Sequence, residues 1–335
     1  MKRKQLVLRS HKMNRGLHRS RILSFRDINL KNIFIVGVGR SGTSLLQSMI
    51  GSHSKITTLP ENSILRRYLG SRNSRKRMNQ GDVSFFNSLI DDEKIKRLNK
   101  DISSEELAAV SKNSGPEKVY EYFLESNVTT EFVCDKDPKL IEYLSLIHNL
   151  RPNSYIVHII RDPRDVLLSK KKAEWSKKGS VFKHVFANKV QLELAERLGA
   201  ELFAGRYITL KYEDLIQNPE RTLDDICDKL SIVFEPKMLN FSDVSKTLVS
   251  KEEVSWKKET LGPILATNKK KWENELSHFD ILLVESCLRD AFSKFGYRKS
   301  ILERNILEKG FFTIIRLVNV MLTGLYIKYV LWKQN

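Results

Sequence analysis

Three glycines at positions 37, 39 and 42, with Arg40 and the hydroxyls of Ser41, Thr43 and Ser44 set among them, form the stretch of this chain best equipped for chemistry. A glycine-rich turn lets successive backbone N–H groups converge on one point. Where a strand enters the turn and a helix leaves it, the positive end of the helix dipole reaches the same point, and the result is an anion site. Both flanks fit. Residues 33–36 are a continuous apolar run suited to a buried parallel strand, and Thr43 opens a run with Leu45, Leu46, Met49 and Ile50 at helical spacing.

The turn can be read against two common phosphate-binding patterns. G-x-x-x-x-G-K-[ST] is met at Gly37 and Gly42, but Thr43 stands where the lysine belongs. The β- and γ-phosphates of a nucleoside triphosphate would lose their main cation, which disfavours an ordinary ATPase or GTPase. G-x-G-x-x-G is met by all three glycines, and Glu61 falls near the distance of a ribose-binding acid. A nicotinamide-dependent oxidoreductase is therefore an alternative. Arg40 and the three hydroxyls supply more donors than a pyrophosphate held mainly by backbone requires; they suit a localised, highly charged phosphate better.

The elements that must position these residues follow an α/β rhythm. Further strands are expected at residues 56–59, 132–134, 155–160 and 207–210. Helices are expected at 64–69, 140–150 with Pro138 near the first turn, from 163, at 182–203 with Gly205 as the stop, at 219–230 and at 279–295. Such alternation implies a parallel sheet with helices on both faces. Residues 70–130 carry no clear strand signal and read as a helical insertion covering the sheet edge where a substrate enters. The domain plan is a basic arm at 1–30, a catalytic domain at 31–298 and a helical tail at 299–335.

Gly39-Arg40-Ser41-Gly42-Thr43-Ser44 resembles the 5′-phosphosulfate loop of the sulfotransferases that use 3′-phosphoadenosine 5′-phosphosulfate (PAPS), closest to the protein-tyrosine and carbohydrate branch. That resemblance implies a P-loop-like three-layer α/β sandwich. It also demands a second phosphate motif, which His158 to Ser169 supplies: Arg161 at a strand end and Ser169 eight residues later match the pair that clamps the 3′-phosphate in the family. A guanidinium offers a bidentate fork, and a hydroxyl about two turns into the next helix returns to the same place. The resemblance further implies Glu61 as general base and Lys136 as the cation on the departing bridging oxygen, with Ser44 and Arg40 assisting there. It implies Tyr212 against the adenosine and Lys271, just before Trp272, in a loop closing over the phosphates. The chain departs from the pattern at Ala173, where the branch carries another phosphate-contacting arginine; Lys172 is the nearest substitute.

The expected reaction is in-line sulfuryl transfer from PAPS to an acceptor hydroxyl of a glycan or glycolipid, with no metal. A non-catalytic membrane-associated binding protein is the other alternative. Lys and Arg outnumber Asp and Glu by 58 to 40, and residues 1–26 hold nine of the bases and no acid, an arm attracted to anionic surfaces. A membrane is the expected surface; nucleic acid is not an expected partner. Residues 311–332 are apolar but interrupted by Arg316, Asn319 and Lys328, as in an amphipathic helix lying on a membrane or against protein. Cys134, Cys227 and Cys287, distant and among apolar residues, read as buried thiols of a reducing compartment, and no signal-peptide core is seen. The expected location is cytoplasmic, on the inner face of a membrane.

Overall fold

In the computed structural model, which describes residues 30–98, 102–125 and 128–334, the chain folds around one sheet. Its strands are β1 (Lys31–Gly37), β2 (Ile56–Thr58), β3 (Phe132–Lys136), β4 (Tyr155–Ile160) and β5 (Tyr207–Lys211), in the order β2-β3-β1-β4-β5. Every pairing is parallel; Ile33 of β1 lies opposite Cys134 on one side and Tyr155 on the other. The sheet has a helical layer on each face because side chains alternate along its strands. Ile33 and Ile35 join Leu46, Met49 and Ile226 on one side, whereas Phe34 and Val36 join Leu65, Phe86 and Ile147 on the other. This is the expected three-layer α/β sandwich.

The longer helices are α1 (Thr43–Gly51), α2 (Arg72–Asn79), α3 (Val83–Ile90), α4 (Ser104–Ser114), α5 (Glu117–Glu125), α6 (Leu144–Leu150), α7 (Pro163–Lys172), α8 (Val181–Leu202), α9 (Pro219–Leu230), α10 (His278–Cys287) and α11 (Ile306–Gln334). Their starts are written locally. Asp162 caps α7 by accepting from the Arg164 N–H, with Pro163 at the first turn, and Ser103 and Glu106 form a reciprocal capping box on α4. Helices α2 to α5 occupy the stretch read as an insertion, and they are part of the core rather than a flap. Phe86, Leu107 and Tyr120 pack with Phe34 and Val133 of the sheet, and the Tyr120 hydroxyl donates to Asp135 at 2.8 Å. Emptying such a site, as in Phe86→Ala, costs about 3–5 kcal/mol.

Three expected helices differ in form. Residues 138–143 are a 3₁₀ turn before α6, since Asp137 caps a segment whose Pro138 tightens it. The helix expected at 279–295 breaks at Leu288, which leaves helical dihedrals (φ −107°, ψ 24°) while its buried side chain stays in the cluster with Phe292. Leu65–Leu69 is a π-turn closed by Gly70 N–H to Leu65 O at 2.6 Å. Residues 1–29, most of the expected basic arm, lie outside the described residues.

All strands being parallel, their carboxyl ends share one edge: Gly37, Lys136, Ile160 and Lys211, with the chain leaving Thr58 towards Glu61 beside them. Ligands of open α/β sheets bind at that edge, where the strand order reverses. Here β1 lies between β3 and β4, so the order reverses beside its own glycine turn.

Candidate active site

The turn after β1 is shaped by close approach. A Cβ on Gly37 would lie 2.6 Å from the Ile159 carbonyl oxygen. At Gly42 (φ 95°) it would lie 2.4 Å from the Tyr212 ring, so that position needs both a left-handed backbone and the absence of a side chain. A Cβ on Gly39 would meet nothing within 4 Å, so packing does not require that glycine. Arg40 holds φ at 81°, a costly conformation for a residue with a side chain and one found at ligand clamps. No side chain caps α1, so the N–H groups of its first turn face a cleft lined by Arg40, Thr43, Ser44, Arg161 and Tyr212.

With Gly42, six of the expected donor-site residues thus share one cleft, and Ser169 reaches it through Arg40. The Arg40 Nε donates to Ser169 Oγ at 2.9 Å. Arg161 donates to the Arg40 carbonyl at 3.2 Å and the Asn268 carbonyl at 3.0 Å, and its guanidinium sits 4.4 Å from the Tyr212 ring centre. Burial, and then the charge of Arg161, lowers the Arg40 pKa. Two guanidinium groups packed together are repelled by each other, and the buried Nε of Arg161 and Oγ of Ser41 have no hydrogen-bond partner. Among the described residues neither arginine makes an ion pair with a carboxylate. Glu259, which also lines the cleft, offsets part of the charge on Arg40; the unspent donors and the remaining positive charge fit a multiply charged anion. Arg40, expected in the 5′-phosphosulfate loop and at the departing oxygen, is bonded to Ser169, the other expected anion-binding hydroxyl.

Glu61, after β2, meets Lys136, the last residue of β3, at 2.5 Å (Glu61 Oε2) and Lys94 at 2.8 Å (Oε1). Lys136 is 1 % exposed, so its ammonium depends on that carboxylate. Burial alone would raise the Glu61 pKa, but Lys136, Lys257 and Lys94 overcome it and hold the group well below the usual carboxylate range. Lys136 shifts upwards: burial opposes its charge and Glu61 more than restores it. Next to them Arg66 donates to Asp137 at 2.8 Å.

Lys257 joins the two groups. It lines the cleft with Arg40 and Arg161, stands 3.6 Å from Glu61 and pairs with Glu253 at 2.7 Å. Burial, followed by repulsion from Lys136, brings its pKa down to about 8. Sequence reading passed over Lys257, Lys94 and Asn268; Asn268 alone had a signal, lying just before the lysine run. Its amide donates to the Tyr212 hydroxyl at 2.9 Å and to Glu259 at 2.7 Å. Lys271 does not line the cleft; it stands 3.7 Å from Glu259 and is half-exposed. Asp165 takes the N–H groups of Lys270 and Trp272, and Lys270 turns through φ 56°, which carries Lys271 outward. Lys172 also points away, paired with Glu275.

Comparison with known proteins agrees with this geometry. The model of the sulfotransferase family matches residues 32–236. Protein-tyrosine sulfotransferase 2 of Gallus gallus is 22% identical over 222 residues, 63% of this chain and 54% of that protein. The putative protein-tyrosine sulfotransferase of Caenorhabditis briggsae is 24% identical over 215 residues, 63% of this chain and 69% of that one. The chain thus spans about half the length of the Gallus gallus relative. In structure it is similar to the sulfotransferase domain from the curacin biosynthetic pathway, with a TM-score of 0.58, 19% identity and coverage of 81% of this chain and 99% of that one. The match spans the glycine turn, Glu61, Lys136 and both members of the Arg161–Ser169 pair: this chain belongs to the sulfotransferase family.

Proposed function

We propose that the protein transfers the sulfuryl group of PAPS to a hydroxyl of a glycan or glycolipid by in-line displacement. The observation that carries the reading is a cleft lined by Arg40 and Arg161 whose Lys257 also reaches the buried Glu61–Lys136 pair beside it. Arg40, Arg161 and Ser169 hold the 3′-phosphate. The amides of the glycine turn, together with Ser41, Thr43 and Ser44, hold the 5′-phosphosulfate, and Tyr212 packs on the adenosine side. Glu61 takes the acceptor proton as the acceptor oxygen bonds to sulfur. The bond from sulfur to the bridging oxygen breaks, and its electron pair stays on the 5′-phosphate, which leaves as adenosine 3′,5′-bisphosphate. Lys136 and Ser44 stabilise the charge growing on that oxygen.

A carboxylate clamped by three lysines is a weak base. Donor binding offers Lys136 a second anion, the bridging oxygen, and as Lys136 turns to it Glu61 regains basicity next to the acceptor. Lys94 and Arg66 border the same place, and such charged side chains hydrogen-bond well to a polyhydroxylated acceptor. A tyrosyl hydroxyl is the second reading, favoured by the names of the relatives. The three cysteines are free and buried, which suits a reducing, cytoplasmic setting.

The test is transfer of radiolabelled sulfate from PAPS to a panel of glycans, glycolipids and tyrosine peptides. Labelled glycan or glycolipid is the expected result. Label on tyrosine alone would replace the acceptor, and no transfer together with stabilisation by NADPH would replace the reaction.

A further inference from the structure

Helix α11 presents a largely apolar face to solvent. Its inner face packs on α8 and α10 through Phe312, Ile327 and Val330, and some of its polar residues point inward too, while Lys309, Thr313 and Lys328 are exposed. Thr323 is fully buried, Arg316 and Asn319 are half-buried, and the side-chain oxygens of Thr323 and Asn319 have no partner. The outer face runs from Leu307 through Ile314, Val318, Met321 and Leu325 to Trp332, each about half-exposed or more. These positions recur every three or four residues or multiples of that, so they form one stripe along the helix, interrupted by the exposed Lys328, whose long side chain can carry its charge to a polar border. At its start the stripe continues onto Phe279, whose ring centre is 6.3 Å from that of Phe311. A soluble monomer rarely exposes an apolar patch of more than a few hundred Å² (roughly 300–600 Å² at most).

We propose that this stripe docks on an anionic lipid bilayer, with α11 lying in the plane of the membrane. Charge selects the occupant. The helix carries four bases and one acid (Glu308), and at its far end Arg72 of α2 lies 4.7 Å from the Trp332 ring centre, with Arg75 and Lys76 of the same helix beyond it. A second copy of the chain would set these bases against themselves, each copy carrying a net charge of +18. A bilayer containing acidic lipids accepts the apolar stripe and the basic border together. The nine bases within residues 1–26 have the same sign. Twenty-nine residues are long enough to span a membrane, but the inner face is held by protein from Phe312 to Gln334, where Gln334 bonds the Glu142 carbonyl. Only the outer face is left for lipid.

Placement follows from the same contacts. Trp332 adjoins Arg72 of α2, the helix that follows the π-turn after Glu61. The membrane proposal itself is independent of the chemistry assigned to that cleft.

The experiment is flotation of the full chain with phosphatidylcholine vesicles, with and without phosphatidylglycerol. The wild type is expected to float with the anionic vesicles and about tenfold less with the neutral ones. Leu317→Ser/Met321→Ser/Leu325→Ser removes three exposed contacts and is expected to cut flotation at least about tenfold, with melting temperature and adenosine 3′,5′-bisphosphate binding unchanged. Equal flotation of the wild type and the triple variant overturns the proposal. So does a wild type that stays unfloated, including one that sediments as a dimer through the stripe.

Discussion

The cleft at Arg40 and Arg161 and the Glu61–Lys136 pair beside it handle charge in opposite ways. In the cleft, Arg161 donates to the Arg40 carbonyl, and burial and the charge of Arg161 lower the Arg40 pKa against the weaker pull of Glu259. At the Glu61–Lys136 pair, the carboxylate has ammonium groups on both oxygens and is driven hard towards its ionised form. The first arrangement is incomplete without a ligand anion. The second is complete already and, on the proposed mechanism, must be loosened before Glu61 can take a proton. On the proposed mechanism, the cleft binds the nucleotide and the neighbouring pair becomes active only when the donor is bound.

The largest effect that sharpens this contrast belongs to Glu61→Gln. Loss of the base is expected to lower kcat by about 10²–10⁴-fold, while adenosine 3′,5′-bisphosphate binds within about threefold of wild type. Full activity in that variant, measured by sulfate transfer, would remove Glu61 from the mechanism.

Arg161→Gln acts in the cleft. Losing charge-assisted bonds worth about 1.5–3 kcal/mol weakens bisphosphate affinity roughly 10–150-fold, as titration calorimetry would read it. The turnover of fully bound donor is expected to change far less, which is the reverse of the Glu61 outcome.

Lys257 lies between, and pH separates its role. Its proton leaves near pH 8 in the folded chain, whereas the ordinary value is 10.5. The folded chain holds that proton less tightly than the unfolded one, so the contribution of Lys257 to stability rises as pH climbs from about 8 towards 10.5. Anion binding follows the opposite sign, since a positive charge is being lost from the cleft. Bisphosphate affinity is expected to fall severalfold above pH 8 in the wild type and to stay level in Lys257→Arg (about tenfold per 1.4 kcal/mol). A wild-type profile flat to pH 10 would contradict this assignment. The smallest effect is Lys271→Ala, expected within about twofold of wild type in binding, because its side chain is outside the cleft and only loosely paired with Glu259. A larger loss would mean that the loop rearranges on binding.

The difference in legibility between parts of the molecule has a physical cause. The β1 turn, Arg161 and Lys136 sit at ends of strands whose apolar runs are unmistakable, so sheet topology alone brings them to one edge. The stretch that covers the cleft is built from short pieces, such as Lys251–Glu253, Val254–Lys257 and Lys258–Thr260, with no period to read. Its path is set by tertiary bonds such as Asp165 to the Lys270 and Trp272 amides, and a path of that kind hid Lys257 and leaves Lys271 outside the lining of the cleft. The helix at 64–69 was visible as a helix, but its π-form depends on the close Gly70 to Leu65 bond. Arg40 was recognised as a ligand residue, yet its left-handed backbone, invisible in a residue string, sends the guanidinium to Ser169.

One titration reaches the centre of the account: adenosine 3′,5′-bisphosphate against adenosine 5′-phosphate, on the wild type and on Arg161→Gln. Removing the 3′-phosphate from the ligand is expected to cost the wild type roughly 10–150-fold in affinity and the variant almost nothing, because the partner of that phosphate is already gone. An equal loss in both proteins would show that Arg161 does not hold the 3′-phosphate and would contradict the proposed donor cleft.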